Sequence, residues 1–177
     1  MDTGLILIVL HIIGTVIGVG GATMIEAHLN QAYRDNLASS DERAILSVDF
    51  RMVRYGLVII LFSGFGFLLL DKFEGTTQYL YSPRLWAKIL MVIIIAANTL
   101  LLQAHLINVY WGSAFSFVSW WTAAFIGMFI THSFKFDLFG EGGFVTVFAS
   151  YMTLYAFAIL SGAILLHSIR NKNKKSV

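Results

Sequence analysis

The chain has no cysteine, one proline among 177 residues, and charge on only 12% of them. Without cysteine there is no disulfide, thiolate metal site, iron–sulfur cluster or cysteine nucleophile. A soluble globular domain carries about a quarter of its residues as charges, and a disordered chain needs low hydrophobicity with high charge. Both classes are excluded. A net charge of +2 is too small a basic excess to point to nucleic acid. Hydrolytic signatures are also missing: no Gly-x-Ser-x-Gly elbow, no His-Glu-x-x-His motif and no Walker-type loop. The carboxylates fall almost entirely in loops, with no evident acid/base pair.

What remains is 58% hydrophobic, with a mean hydropathy of +0.76. The aromatics, 15 Phe, 4 Trp and 7 Tyr, suit lipid-facing and interfacial positions. A membrane-spanning helix needs about 20 predominantly apolar residues. Five stretches meet this, 5–27, 53–71, 86–107, 114–132 and 144–168, followed by a basic tail over 169–177. The expectation is one all-α domain, an integral membrane helical bundle of five transmembrane helices in contact with the lipid bilayer. Met1-Asp2-Thr3-Gly4 has no basic residue and the apolar run after it is long, so the first stretch is expected to be a retained span rather than a cleaved signal.

Lys and Arg near the span ends set the orientation. Arg34, Arg43, Arg51 and Arg54 of the first loop share a side with Arg170, Lys172, Lys174 and Lys175 of the tail; Lys72, Arg84, Lys88 and Lys135 lie opposite. The excess predicts an outer (periplasmic) N-terminus and a cytoplasmic C-terminus in a bacterial inner (plasma) membrane. Ser39-Ser40-Asp41-Glu42-Arg43 reads as a helix start. In Ser82-Pro83-Arg84, Ser82 can cap and Pro83 suits the first helical position.

Gly14, Gly18 and Gly21 in the first span have the spacing that lets helix backbones approach closely. They serve plain helix packing or make room for a flat cofactor beside His11. Polar groups inside spans are costly and usually face a partner or cavity. Here they fall into two layers. The outer layer holds His11, Lys88 and His132; the inner layer holds Glu26, His28, His105 and His167, with Asp49 and Arg51 nearby. His11 is either satisfied by a hydrogen bond from another helix or acts as a haem ligand, metal ligand or proton relay. Lys88 either snorkels to the headgroups or pairs with His11. Glu26, His28, His105 and His167 are a candidate copper or zinc set, or separate interfacial groups. Glu26 and His28, two residues apart, point to different sides of a helix.

Three segments taken together carry a family resemblance. Leu10-His11-Ile12-Ile13-Gly14 through Gly20-Gly21 lies in the first span. Phe50-Arg51-Met52-Val53-Arg54, with Ser63-Gly64 beyond it, opens the second. Leu85-Trp86-Ala87-Lys88-Ile89-Leu90, with Asn98 beyond it, opens the third. Over about the first 105 residues this pattern resembles the CopD/HemJ-like superfamily of small bacterial integral membrane proteins. The resemblance implies haem b bound through the positions matched by His11 and Lys88, and electron transfer or porphyrinogen oxidation as the activity; His132 is an alternative second ligand. A Trp and a Leu-Pro-Arg element usual in HemJ-type proteins are replaced here by Ile17 to Ile25, and the Met-rich segments of copper handlers are missing. The expected partners are a quinone, a porphyrin or another redox partner. Alternatives are a copper- or other divalent-metal-binding or transport protein, and an accessory subunit within a homo-oligomer or larger membrane complex.

Overall fold

The computed structural model describes residues 2–34, 40–75, 80–130 and 144–175, with the backbone alone for 32–34, 128–130 and 172–175. Among the described residues all regular structure is helical: α1 (Thr3–Arg34), α2 (Ser40–Phe73), α3 (Pro83–Gln103), α4 (Val109–Ile130) and α5 (Phe144–Lys175). α1, α3 and α5 run one way and α2 and α4 the other. The end where α1 begins is called the upper end below, and the end where α5 finishes the lower end.

Local chemistry places the helix ends close to where the sequence signals them. α2 starts at Ser40 with Asp41 and Glu42 in its first turn, where carboxylates favour the positive end of the helix dipole. The helix start expected in the first loop and the second span are therefore one continuous 34-residue helix. α3 opens with Pro83 at its first turn, after Ser82 in an extended conformation; the Ser82 side chain makes no capping bond. α3 stops at Gln103, earlier than the apolar run to 107 predicts. The reason lies in its last turn. His105 adopts the left-handed conformation at φ 55°, its N–H donates to the Leu102 carbonyl at 3.1 Å, and the Leu106 N–H reaches back to the Leu101 carbonyl at 3.0 Å. This is a Schellman cap, and it turns the chain directly into α4.

Four helices, α1, α2, α3 and α5, are long and apolar enough to cross a membrane. α4 is the central helix. It packs against α1, α3 and α5, and its buried face carries Ser113, Ser116 and Ser119 beside Trp120. The bundle as a whole inverts the soluble pattern. Phe62, Phe65, Val16, Phe157 and Ile164 are well exposed, whereas Glu26, Asp49, Asn98 and Arg170 are buried. An apolar exterior around a polar interior is what a lipid solvent selects, and the chain is a multi-pass membrane protein.

The α1–α2 pair is the most intimate contact in the molecule. A Cβ placed on Gly56 would lie 2.5 Å from the Gly18 backbone nitrogen and 2.8 Å from the Gly14 carbonyl oxygen. One on Gly18 would lie 2.2 Å from the Trp120 ring. The glycine face of α1 is therefore filled by α2 and Trp120. Close helix packing accounts for Gly14, Gly18 and Gly21, and no slot for a flat group exists on that face.

Candidate functional site

The lower end holds a closed ionic cluster. Glu26 of α1 and Arg170 of α5 are almost completely buried and pair through Oε2 and Nη2 at 2.5 Å. Arg170 Nη2 also donates to Ser113 Oγ at 3.1 Å, and Nη1 donates to the Tyr110 carbonyl. The guanidinium lies over the Tyr110 ring at 5.6 Å. Ser113 Oγ donates to the Tyr110 carbonyl at 3.1 Å, and Asn30 Nδ2 donates to Glu26 Oε1 at 3.3 Å. Three helices meet in this cluster, and only Arg170 Nε lacks a partner among the described residues. Beside it, His28 Nδ1 meets the buried Asp49 carboxylate at 2.6 Å, tying α1 to α2. Asn98 Nδ2 donates to the Gly112 carbonyl at 3.0 Å, tying α3 to α4.

The four lower-end residues singled out from the sequence are thus not brought together. Glu26 is held by Arg170 and His28 by Asp49. His105 is exposed and caps α3. His167 stacks on Trp111 with ring centroids 4.5 Å apart, and its Nε2 meets Asn171 Nδ2 at 3.1 Å. Among the described residues no three His, Asp or Glu side chains gather as a metal site would require. Arg51 and Arg54 bond carbonyls of their own helix, those of Ser47 and Phe50. Sequence reasoning treated Arg170 as one of the tail charges. Its signal was its place on the buried stripe of α5, in register after Tyr151, Tyr155, Ile159 and Ala163.

The upper end is built differently. His11 of α1 and Lys88 of α3, 77 positions apart in sequence, lie within electrostatic range of one another, and both are half-buried. His11 Nδ1 is 2.9 Å from Ser63 Oγ of α2, and the Phe67 ring meets the imidazole edge-on at 6.0 Å. Ser63 Oγ also donates to the Ile60 carbonyl at 3.1 Å. Lys88 has no carboxylate partner among the described residues. His132 lies outside the described residues. In the middle of the bundle, between the two ends, Ser119 and Tyr155 approach one another without completing a hydrogen bond, both fully buried.

Chemically, the upper end offers an imidazole nitrogen and an amine that no partner among the described residues engages. Imidazole held through Nδ1 presents Nε2, the usual metal-binding nitrogen of a histidine fixed by an outer hydrogen bond. The donor set therefore fits a haem iron or a proton-carrying site. The glycine face of α1 does not contribute a slot for the macrocycle. Comparison of the chain with protein families, with curated proteins and with solved structures finds no match.

Proposed function

We propose that this multi-pass membrane protein binds haem b at its upper end, with His11 as a ligand, and acts in electron transfer or porphyrinogen oxidation. The observation that carries the reading is His11: an intramembrane imidazole anchored through Nδ1 to a buried serine, with no partner for Nε2 among the described residues and Lys88 within electrostatic range. An intramembrane ionisable group is a candidate functional group by default, and at the lower end Glu26, His28, His167 and Arg170 are each spent on a protein partner. The resemblance to CopD/HemJ-like proteins at His11 and Lys88 supports the same assignment. In this reading α4 is a fifth span, the N-terminus lies outside, and the basic tail lies in the cytoplasm of a bacterial cell.

When bound, haem would supply the one-electron chemistry. The protein's share is to hold and orient the group. Ser63 fixes the ring of His11, and Lys88 would supply a positive charge or a second ligand. The apolar exterior of the bundle keeps bulk water from the site. The test is an absorption spectrum of the purified protein after titration with haemin, oxidised and then reduced with dithionite. A Soret band with sharp reduced α and β bands, lost in His11→Ala, is the expected result. A protein that stays colourless through the titration removes the reading.

A further inference from the structure

The proton on His11 can be placed from two distances. Ser63 is buried at 1% exposure, and its Oγ lies 3.1 Å from the Ile60 carbonyl and 2.9 Å from His11 Nδ1. A carbonyl can only accept, and a hydroxyl has one proton to give. Only one placement makes both contacts hydrogen bonds: Ser63 donates to Ile60 and accepts from Nδ1–H. A neutral imidazole carries a single N–H, so Nε2 is left with its lone pair. Ser63 is on the inner stripe of α2 with Val53, Gly56, Leu57 and Ile60. That stripe is locked onto α1 by the close Gly18–Gly56 approach.

We propose that Ser63 is the positioning residue of the upper site: it holds His11 as the Nδ1–H tautomer and so presents Nε2 as the ligating nitrogen. The claim deepens the haem reading and rests on it for its consequence, but the tautomer itself exists with or without a bound group. A neutral histidine left without an outer partner favours the opposite form, with the proton on Nε2 and that nitrogen unable to ligate. The helix below Ser63 thus selects a ligand-competent imidazole before anything binds. An outer hydrogen bond of this kind also raises the basicity of the ligating nitrogen. A metal held through it is accordingly favoured in its more oxidised state.

The experiment is long-range ¹H–¹⁵N correlation on the full chain labelled with ¹⁵N-histidine in lipid nanodiscs, at a pH where imidazoles are neutral. His11 is assigned among the 5 histidines by its loss in His11→Gln. The expected wild-type pattern has Nδ1 protonated and Nε2 bare. Ser63→Ala should move His11 to the Nε2–H pattern, and Ser63→Thr, which keeps the hydroxyl, should restore it. A wild-type His11 protonated on Nε2 overturns the proposal whether or not either variant folds, as does a pattern unchanged by Ser63→Ala.

Haemin titration of the same samples separates the two claims. Removing the outer partner should weaken haemin binding about 10–100-fold and raise the midpoint potential, with Ser63→Thr close to wild type. If wild type takes up no haemin, the haem reading fails while the tautomer result still stands. If His11 binds haemin and Ser63→Ala alters neither affinity nor potential, the positioning role is overturned and the haem reading survives.

Discussion

The two ends of the bundle treat polar side chains in opposite ways. At the lower end, Glu26 and Arg170 are buried together, braced by Ser113, Asn30 and the Tyr110 carbonyl, while His28 is matched to Asp49. At the upper end, His11 uses one nitrogen on Ser63 and Lys88 meets no carboxylate among the described residues. Charges in a low-dielectric interior are tolerated when partners of opposite sign and additional hydrogen bonds surround them. A closed cluster of that kind holds helices in place. A group left open in the same medium carries a cost that folding does not recover, and such positions are where membrane proteins bind or move something. The contrast sets a closed polar network at the lower end against open groups at the upper end, where the proposed site lies.

The largest effect that would sharpen this contrast is at Arg170. Arg170→Ala leaves Glu26 buried without its cation, and the expected destabilisation is about 3–5 kcal/mol, read as loss of thermal stability in detergent. A double variant, Glu26→Gln with Arg170→Gln, should recover most of that loss. A single variant as stable as wild type would break the architectural reading of the lower end.

Next is the helix seam that joins the two ends. Gly56→Ala drives a methyl into the Gly18 backbone, 2.5 Å from its nitrogen, and should destabilise by about 1–3 kcal/mol. Gly20→Ala meets nothing within 4 Å and should be neutral or stabilise by up to about 1 kcal/mol, because alanine is the better helix former. Equal effects at both positions would remove the seam from the account. The smallest effect is at His105. His105→Gly suits the left-handed cap and should change stability by no more than about 1 kcal/mol, whereas a role as a metal ligand would show as lost copper or zinc in elemental analysis.

Much of this architecture was legible in the sequence because membrane spans are written in length and hydropathy. The start of α2 and Pro83 of α3 were marked by capping chemistry. The C-terminus of α3 was not, because an apolar run continues past it and the stop is a backbone conformation at His105 rather than a breaker residue. The glycines announced close packing but not its partner; only the fold puts Gly56 and Trp120 against them. For the polar residues, depth was legible and pairing was not. His11 and Lys88 were assigned to one layer by counting residues at about 1.5 Å each, and the fold brings them within range of each other. Glu26 and Arg170 are 144 positions apart. Their complementary charges sit on the buried stripes of two separate helices, and Arg170 was masked by the basic tail that follows it. Ser63 was noted only beside a glycine, because a serine's hydrogen-bond direction depends on what stands opposite.

The measurement that bears most directly on the division between the two ends is the dithionite-reduced spectrum of haemin-titrated protein, taken side by side on wild type, His11→Ala and His28→Ala. Sharp α and β bands are expected in wild type and His28→Ala, and their loss in His11→Ala. Bands that survive His11→Ala, or that vanish in His28→Ala instead, would contradict that division.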